Sequence, residues 1–297
     1  MNKGMWLAIG AYATWGFFPL YFHALQGVPP LEILSHRVVW ALLFLVAVLT
    51  WRQQWGWLGS ALRQKKVVLT FAAAGTLLAI NWLTYIWGVN SGYVVETSLG
   101  YFINPLVSVF LGMIFLRERL RPGQWLAIAV AFTGVVYLTL TYGRLPWIAL
   151  TLALTFGTYG FLRKVGKLGA LEGLTLETGF MFLPALGFLL WQESNGAAAF
   201  GHANWSHTLL LGFAGVATAI PLLMFGQAAR EIPLNVIGIL QYIAPTFQFL
   251  IGVLVFREPF SPHQLIGFSF IWIALVLYTV ESILQTRRRR ALQYAGD

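Results

Sequence analysis

The sequence predicts an all-α polytopic membrane protein of ten transmembrane helices arranged as two inverted five-helix repeats, and three observations predict it. The 297 residues are 58% hydrophobic and only 10% charged, with a mean hydropathy of +0.72, whereas soluble domains carry roughly a quarter charged residues. The apolar residues fall into runs of about twenty, the helical length that crosses a hydrocarbon core roughly 30 Å thick. The chain also copies itself without a gap at an offset of 140. Pro105, Gly112, Arg117-Glu118, Pro122 and Gln124 recur as Pro245, Gly252, Arg257-Glu258, Pro262 and Gln264, and Gly75, Ala79, Ile80 and Leu83 as Gly215, Ala219, Ile220 and Leu223. An odd number of spans in each copy makes the copies face opposite ways in a bilayer.

The spans read in order as 5–25, 32–51, 67–88, 94–116 and 123–142 in a first unit (1–145), and 147–163, 172–192, 207–229, 234–256 and 264–284 in a second (146–297) that ends in a basic tail. The first apolar stretch, Trp6 to Leu25, lacks a small-residue cleavage site with a soluble chain behind it, so it resembles an uncleaved span more than a signal peptide and is expected to stay in the membrane. Asn90-Ser91-Gly92 between the third and fourth spans, and Arg230-Glu231-Ile232-Pro233 between the eighth and ninth, are short enough to make those neighbours antiparallel. The fifth span contains the unbroken run Trp125 to Leu140, which has none of the ten-residue alternation of a membrane barrel. Gln192 to His207 forms the longest polar connection.

Lys and Arg collect on the cytoplasmic side of membrane proteins. With Lys3 inside, the inside loops hold Arg52, Arg63, Lys65 and Lys66, then Arg117, Arg119 and Arg121, then Arg163, Lys164 and Lys167, then Arg230; the outside loops hold only Arg144 and Arg257. Both termini are expected in the cytoplasm. The basic loop at Arg119 keeps Arg257 in its copy but has Pro259 and Ser261, as a loop that has changed sides should. The net charge of +9 is therefore mostly topology. Arg287 to Arg290, next to a span, anchor against anionic lipid, so membrane lipids and not nucleic acid are the expected contact of the tail. The absence of cysteine removes disulfide and thiol chemistry.

Glu32-Ile33-Leu34-Ser35-His36-Arg37-Val38-Val39-Trp40, Asn81-Trp82-Leu83, Gly100-Tyr101-Phe102-Ile103-Asn104-Pro105-Leu106 and Gln241-Tyr242-Ile243-Ala244-Pro245-Thr246 resemble the RarD-type branch of the drug/metabolite transporter superfamily, built from paired EamA domains. The resemblance covers nearly the whole chain. It implies a permease of the bacterial inner membrane, with ten helices in two inverted repeats, that exports small metabolites or drugs.

An ionisable residue at a helix centre in the membrane costs about 2.5–3.5 kcal/mol on insertion scales and so faces a cavity or a partner. Arg37 in the second span and Glu177 in the seventh meet this description, at matched positions with opposite charge, each roughly 8 Å from its own entry face at 1.5 Å per residue. On one reading Arg37 and His36 attract an anionic or polar group of the substrate, while Glu177 accepts a substrate amine or a proton. On the other, Arg37 reaches headgroups or carbonyls, His36 packs, and Glu177 is neutral and hydrogen-bonded. Asn81, Trp82 and Tyr85, Tyr101 and Asn104, and Gln241, Tyr242 and Gln248 place aromatic faces beside hydrogen-bonding groups, which suits an amphipathic or aromatic ligand. Trp also anchors at interfaces, and Asn and Gln also hold helices together. Gly157, Gly160, Gly212 and Gly215 are read as sites of close helix contact.

Pro105 and Pro245, at matched positions, each free the carbonyl four residues earlier and kink a helix, either as gating joints or as fixed bends. Arg117-Glu118 and Arg257-Glu258 at span ends are either surface charges or clasps on other helix ends.

The five histidines lack the His-Glu-x-x-His spacing of a zinc protease, the only aspartate is Asp297, and no phosphate-binding loop is present. A non-enzymatic carrier of small molecules is therefore expected, needing no cofactor or metal and driven by an ion gradient, protons included, or by the gradient of its substrate. A channel or lipid flippase shares this composition and is the alternative class.

Overall fold

The computed structural model describes residues 3–116, 121–142, 145–231 and 240–294. Among them there is no strand, and twelve α-helices follow one another: α1 (Lys3–Gly16), α2 (Phe18–His23), α3 (Pro30–Trp51), α4 (Leu58–Arg63), α5 (Lys65–Asn90), α6 (Val94–Leu116), α7 (Pro122–Tyr142), α8 (Trp147–Val165), α9 (Ala170–Ser194), α10 (Trp205–Glu231), α11 (Ile243–Leu250), continued by a π-helical turn (Ile251–Val255), and α12 (Pro262–Tyr294). Six of them, α3, α5, α7, α9, α10 and the Pro262–Glu281 part of α12, are long and apolar enough to cross a membrane. The expected first span is broken: α1 stops at Gly16 because Pro19 cannot donate to the carbonyl of Trp15. Of the expected ninth span (234–256), residues 234–239 lie outside the described residues, and the rest contains the apolar stretch Ile243–Val255.

The repeated Pro-x-Gln signature has a local cause. Pro122 and Pro262 are the first residues of α7 and α12, where the missing N–H is one the helix leaves unpaired anyway. Gln124 and Gln264 reach back from the third position to the N–H of Arg121 (3.0 Å) and Ser261 (2.8 Å), and the Ser261 hydroxyl accepts from the Gln264 N–H (3.2 Å) to complete a capping box.

The main helix contacts come in pairs related by the 140-residue offset. The packing of α6 on α8 matches that of α11 on α1, α3 on α10 matches α9 on α5, and α1 on α10 matches α8 on α5; α3 with α9, α6 with α11, and α7 with α12 pack as counterparts. Counterpart helices run antiparallel: Arg121 at the start of α7 pairs with Glu281 late in α12 (3.1 Å), whereas Tyr137 late in α7 meets His263 at the start of α12 (3.0 Å). Glycine sets two of these contacts. A Cβ on Gly215 of α10 would strike the backbone of Trp40 and Ala41 in α3, and one on its counterpart Gly75 of α5 would lie 3.0 Å from the carbonyl oxygen of Glu177 in α9. Gly157 lies likewise against Val107, but Gly160 and Gly212 face open space, so close packing does not account for them.

Candidate functional site

The helices α1, α2, α3, α5, α6, α8, α10 and α11 surround a cavity of about 80 Å³, taken as the space open to the centre of a water molecule, against roughly 10–15 Å³ for one water on that measure. It is lined by Tyr12 and Trp15 from α1, Phe18 from α2, Arg37 from α3, Asn81, Trp82 and Tyr85 from α5, and Tyr101 and Asn104 from α6. Phe156 from α8, Thr218 and Leu222 from α10, and Gln241, Ala244, Pro245 and Gln248 at α11 complete the wall. Asn81 and Tyr85, four residues apart, share one helix face, as do Tyr101 and Asn104, three apart.

Among the described residues that line the cavity, Arg37 is the one that is charged. It is 3% exposed. Its Nε donates to the Thr218 hydroxyl (3.0 Å), which itself donates to the Ala214 carbonyl (2.8 Å). The guanidinium carbon sits 4.4 Å from the Trp82 ring centroid, 5.2 Å from Phe22 and 5.7 Å from Phe18. Asn81 is saturated: its amide donates to the Leu152 carbonyl and the Thr155 hydroxyl, and its oxygen accepts from the Tyr101 hydroxyl (3.1 Å). Gln248 donates to the Trp15 carbonyl (3.1 Å), the group that Pro19 leaves without a helical donor. Tyr85 Oη, Asn104 Oδ1 and Gln248 Oε1 are buried at the wall without a hydrogen-bond partner.

Three residues singled out in the sequence do not line this cavity. His36 Nδ1 accepts from the Trp40 indole (3.2 Å), and its ring lies against Phe200, 4.8 Å between centroids. Tyr242 stacks on Phe102 at 6.5 Å. Glu177 is fully buried and faces Arg163 (3.2 Å) and the Tyr159 hydroxyl (3.2 Å), because an apolar helix environment makes an unpaired carboxylate costly. Arg163 was read as a loop charge; it reaches inward from the last turn of α8, passing where a Cβ on Gly173 would stand. The matched charges at 37 and 177 therefore have different surroundings, the first a cavity and the second a partner.

The two prolines also differ. Pro245 is in the first turn of α11, where its missing N–H breaks no bond within that helix. The helix α6 runs through position 105, and the side chain of Pro105 lies outside the described residues, as do Arg117, Glu118, Arg119 and Arg144. The sequence did not point to Tyr12, Trp15, Phe18, Phe156 or Thr218. The signal available for the first three was Pro19, which breaks the span beside them.

The sequence profile of the EamA-like transporter family matches residues 2–140 and again residues 145–280. The chain belongs to the EamA-like transporter family. It is similar to Protein RarD of Streptomyces exfoliatus, 46% identical over 98% of this chain and 92% of that one. To the uncharacterized transporter YojE of Bacillus subtilis it is 44% identical over 98% of each, and to Protein RarD of Escherichia coli 40% over 97% of each. A crystal structure of a protein 18% identical to it matches with a TM-score of 0.60 over 94% of this chain and 98% of that one, a likeness of fold. The RarD-type resemblance read from the sequence is thus met, and the transporter is a bacterial multi-pass membrane protein.

Proposed function

We propose that this transporter is a secondary carrier that exports small amphipathic molecules, aromatic or amino-acid-like, by alternating access around the cavity described above. The two units, 1–145 and 146–297, act as inverted five-helix repeats that together cross the membrane ten times with both termini in the cytoplasm. The cavity carries this reading: both units contribute walls, and its surface combines aromatic faces with three unpartnered polar atoms, the composition of a small-molecule site. The paired helix contacts and the antiparallel course of counterpart helices support the inversion. The direction, export, rests on the RarD-type resemblance. The prolines at 105 and 245 are proposed as the joints where α6 and α11 move.

Counterflow in proteoliposomes tests the reading. The solute panel includes chloramphenicol, since one relative, 32% identical, is named chloramphenicol-sensitive protein RarD in Pseudomonas aeruginosa. Saturable counterflow of at least one solute is expected, and ohmic conductance without it would make the protein a channel. Arg119→Cys and Ser261→Cys, each introduced into the cysteine-free chain, should label from opposite sides of the bilayer. Labelling from one side would end the inverted arrangement.

A further inference from the structure

Arg37 is a buried cation without a counter-ion. Of the eight carboxylates among the described residues, six are engaged elsewhere: Glu177 with Arg163, Glu281 with Arg121, Glu193 with His202, Glu231 with Gln227, Glu258 on the backbone of α6 and Glu32 on the N–H groups of Ala199 and Phe200; the other two are Glu96 and Glu172. None lies within 4 Å of Arg37. The guanidinium makes one hydrogen bond, through Nε to Thr218, and its two terminal nitrogens have no acceptor among the described residues. Aromatic faces at 4.4, 5.2 and 5.7 Å partly offset the burial but accept no proton. A planar cation with two free donor nitrogens in a low-dielectric cavity binds a carboxylate through two parallel hydrogen bonds.

The rest of the wall sets the other terms. No carboxylate is among the described residues that line the cavity, so an ammonium group entering it would meet the field of Arg37 with no anion from them to compensate it. The ring faces nearest the guanidinium are already turned to that cation. Trp15, Tyr85, Tyr101 and Phe156 bound a space suited to a flat apolar body, and Asn104 Oδ1 and Gln248 Oε1 are free to accept from a hydroxyl or amide on it.

We infer that the substrate is an organic monoanion, a carboxylate on an aromatic or apolar body, whose carboxylate pairs with Arg37. The inference rests on the cavity being the substrate site. It is tested with three compounds that share a phenylethyl group: 3-phenylpropanoate (anion), phenylalanine (zwitterion) and phenethylamine (cation). Their binding to the purified full-length protein is read by quenching of tryptophan fluorescence, since Trp15 and Trp82 line the cavity, and their transport by counterflow.

The unaltered protein should bind the anion most tightly and the cation least. Arg37→Gln should weaken the anion about ten- to hundredfold, the worth of a hydrogen bond between charged groups, while the neutral 3-phenylpropanamide changes little. Arg37→Lys should retain part of the anion's affinity.

Equal or tighter binding of the cation or zwitterion overturns the inference. So does an anion affinity that Arg37→Gln leaves unchanged, or binding of none of the three. The ranking in the unaltered protein needs no variant, so misfolding of Arg37→Gln does not shield the inference. Saturable counterflow of some other solute would leave the carrier reading intact while this one fails.

Discussion

The Glu258 carboxylate straddles the first turn of α6, with Oε1 accepting from the N–H of Val94 at 2.7 Å and Oε2 from that of Val95 at 2.8 Å. It lies after the π-helical turn that follows α11, on a loop where Arg257 adopts a left-handed φ of 54°. The contact joins the loop after α11 to the amino end of α6, where a carboxylate satisfies orphan donors and complements the helix dipole. Burial of Glu258 pushes its carboxyl above the usual range, opposed by these two N–H groups. Of the two roles open to Glu258, surface charge or clasp, the geometry is that of the clasp; its sequence counterpart, Glu118, is outside the described residues.

Losing the clasp removes about 1–2 kcal/mol, by analogy with helix caps, which is a factor of about 5–30 in a two-state ratio. Glu258→Ala should therefore lower the thermal midpoint and favour the state in which this end is open. A single cysteine placed at Phe256 in the cysteine-free chain checks it: its labelling should speed up several-fold in Glu258→Ala. An unchanged labelling rate would make the contact static.

The Arg163–Glu177 pair should behave as a unit. Breaking a buried pair by removing one partner costs about 3–5 kcal/mol, whereas replacing both by apolar residues is often neutral. Glu177→Leu should destabilise strongly, and Arg163→Met combined with Glu177→Leu should regain most of the loss. A double-mutant cycle on thermal midpoints reads the coupling. Additive losses would show that the two groups do not depend on each other.

Most helix boundaries were legible because length and apolarity suffice to mark a span, except where Pro19 breaks the first, and the Pro-x-Gln starts were legible because capping is local in sequence. The polar wall of the cavity was legible in part, since Asn81, Tyr101 and Asn104 are conspicuous in apolar helices. Its aromatic wall was not: Trp15, Phe18 and Phe156 belong to residue types spread through the whole chain, and lipid and cavity accept them equally. Arg37 and Glu177 looked equivalent in sequence because their difference lies in a neighbour. Thr218 approaches one and Arg163 the other, across contacts 181 and 14 residues apart.

Glycine substitutions should separate close packing from mere small size. Gly215→Ala places a methyl group against the backbone of Trp40 and Ala41, which cannot step aside, and overpacking of this kind costs about 1–3 kcal/mol. Gly212→Ala, one turn away in α10, meets nothing within 4 Å and should be neutral or stabilising by up to about 1 kcal/mol, the difference in helix propensity. Thermal midpoints of the two variants should move in opposite directions or differ clearly. Equal shifts would remove the packing argument for the α3–α10 contact.

Asn81 and Tyr85 share a helix face and line the same cavity, yet they should respond differently to mutation. Every hydrogen-bonding atom of Asn81 that the structure engages ties α5 to α8 or α6. Asn81→Leu leaves the Tyr101 hydroxyl without its acceptor, and stranding a buried polar group costs about 1–3 kcal/mol. Tyr85 Oη has no partner to lose, so Tyr85→Phe should leave stability unchanged or slightly raised. If the cavity holds the substrate, the hydroxyl of Tyr85 is available to it, and Tyr85→Phe should alter the apparent affinity in counterflow while Asn81→Leu mainly reduces the amount of folded protein. Measuring thermal midpoint and apparent affinity on both variants separates scaffold from site. A Tyr85→Phe protein that lost stability but kept its affinity would reverse the two assignments.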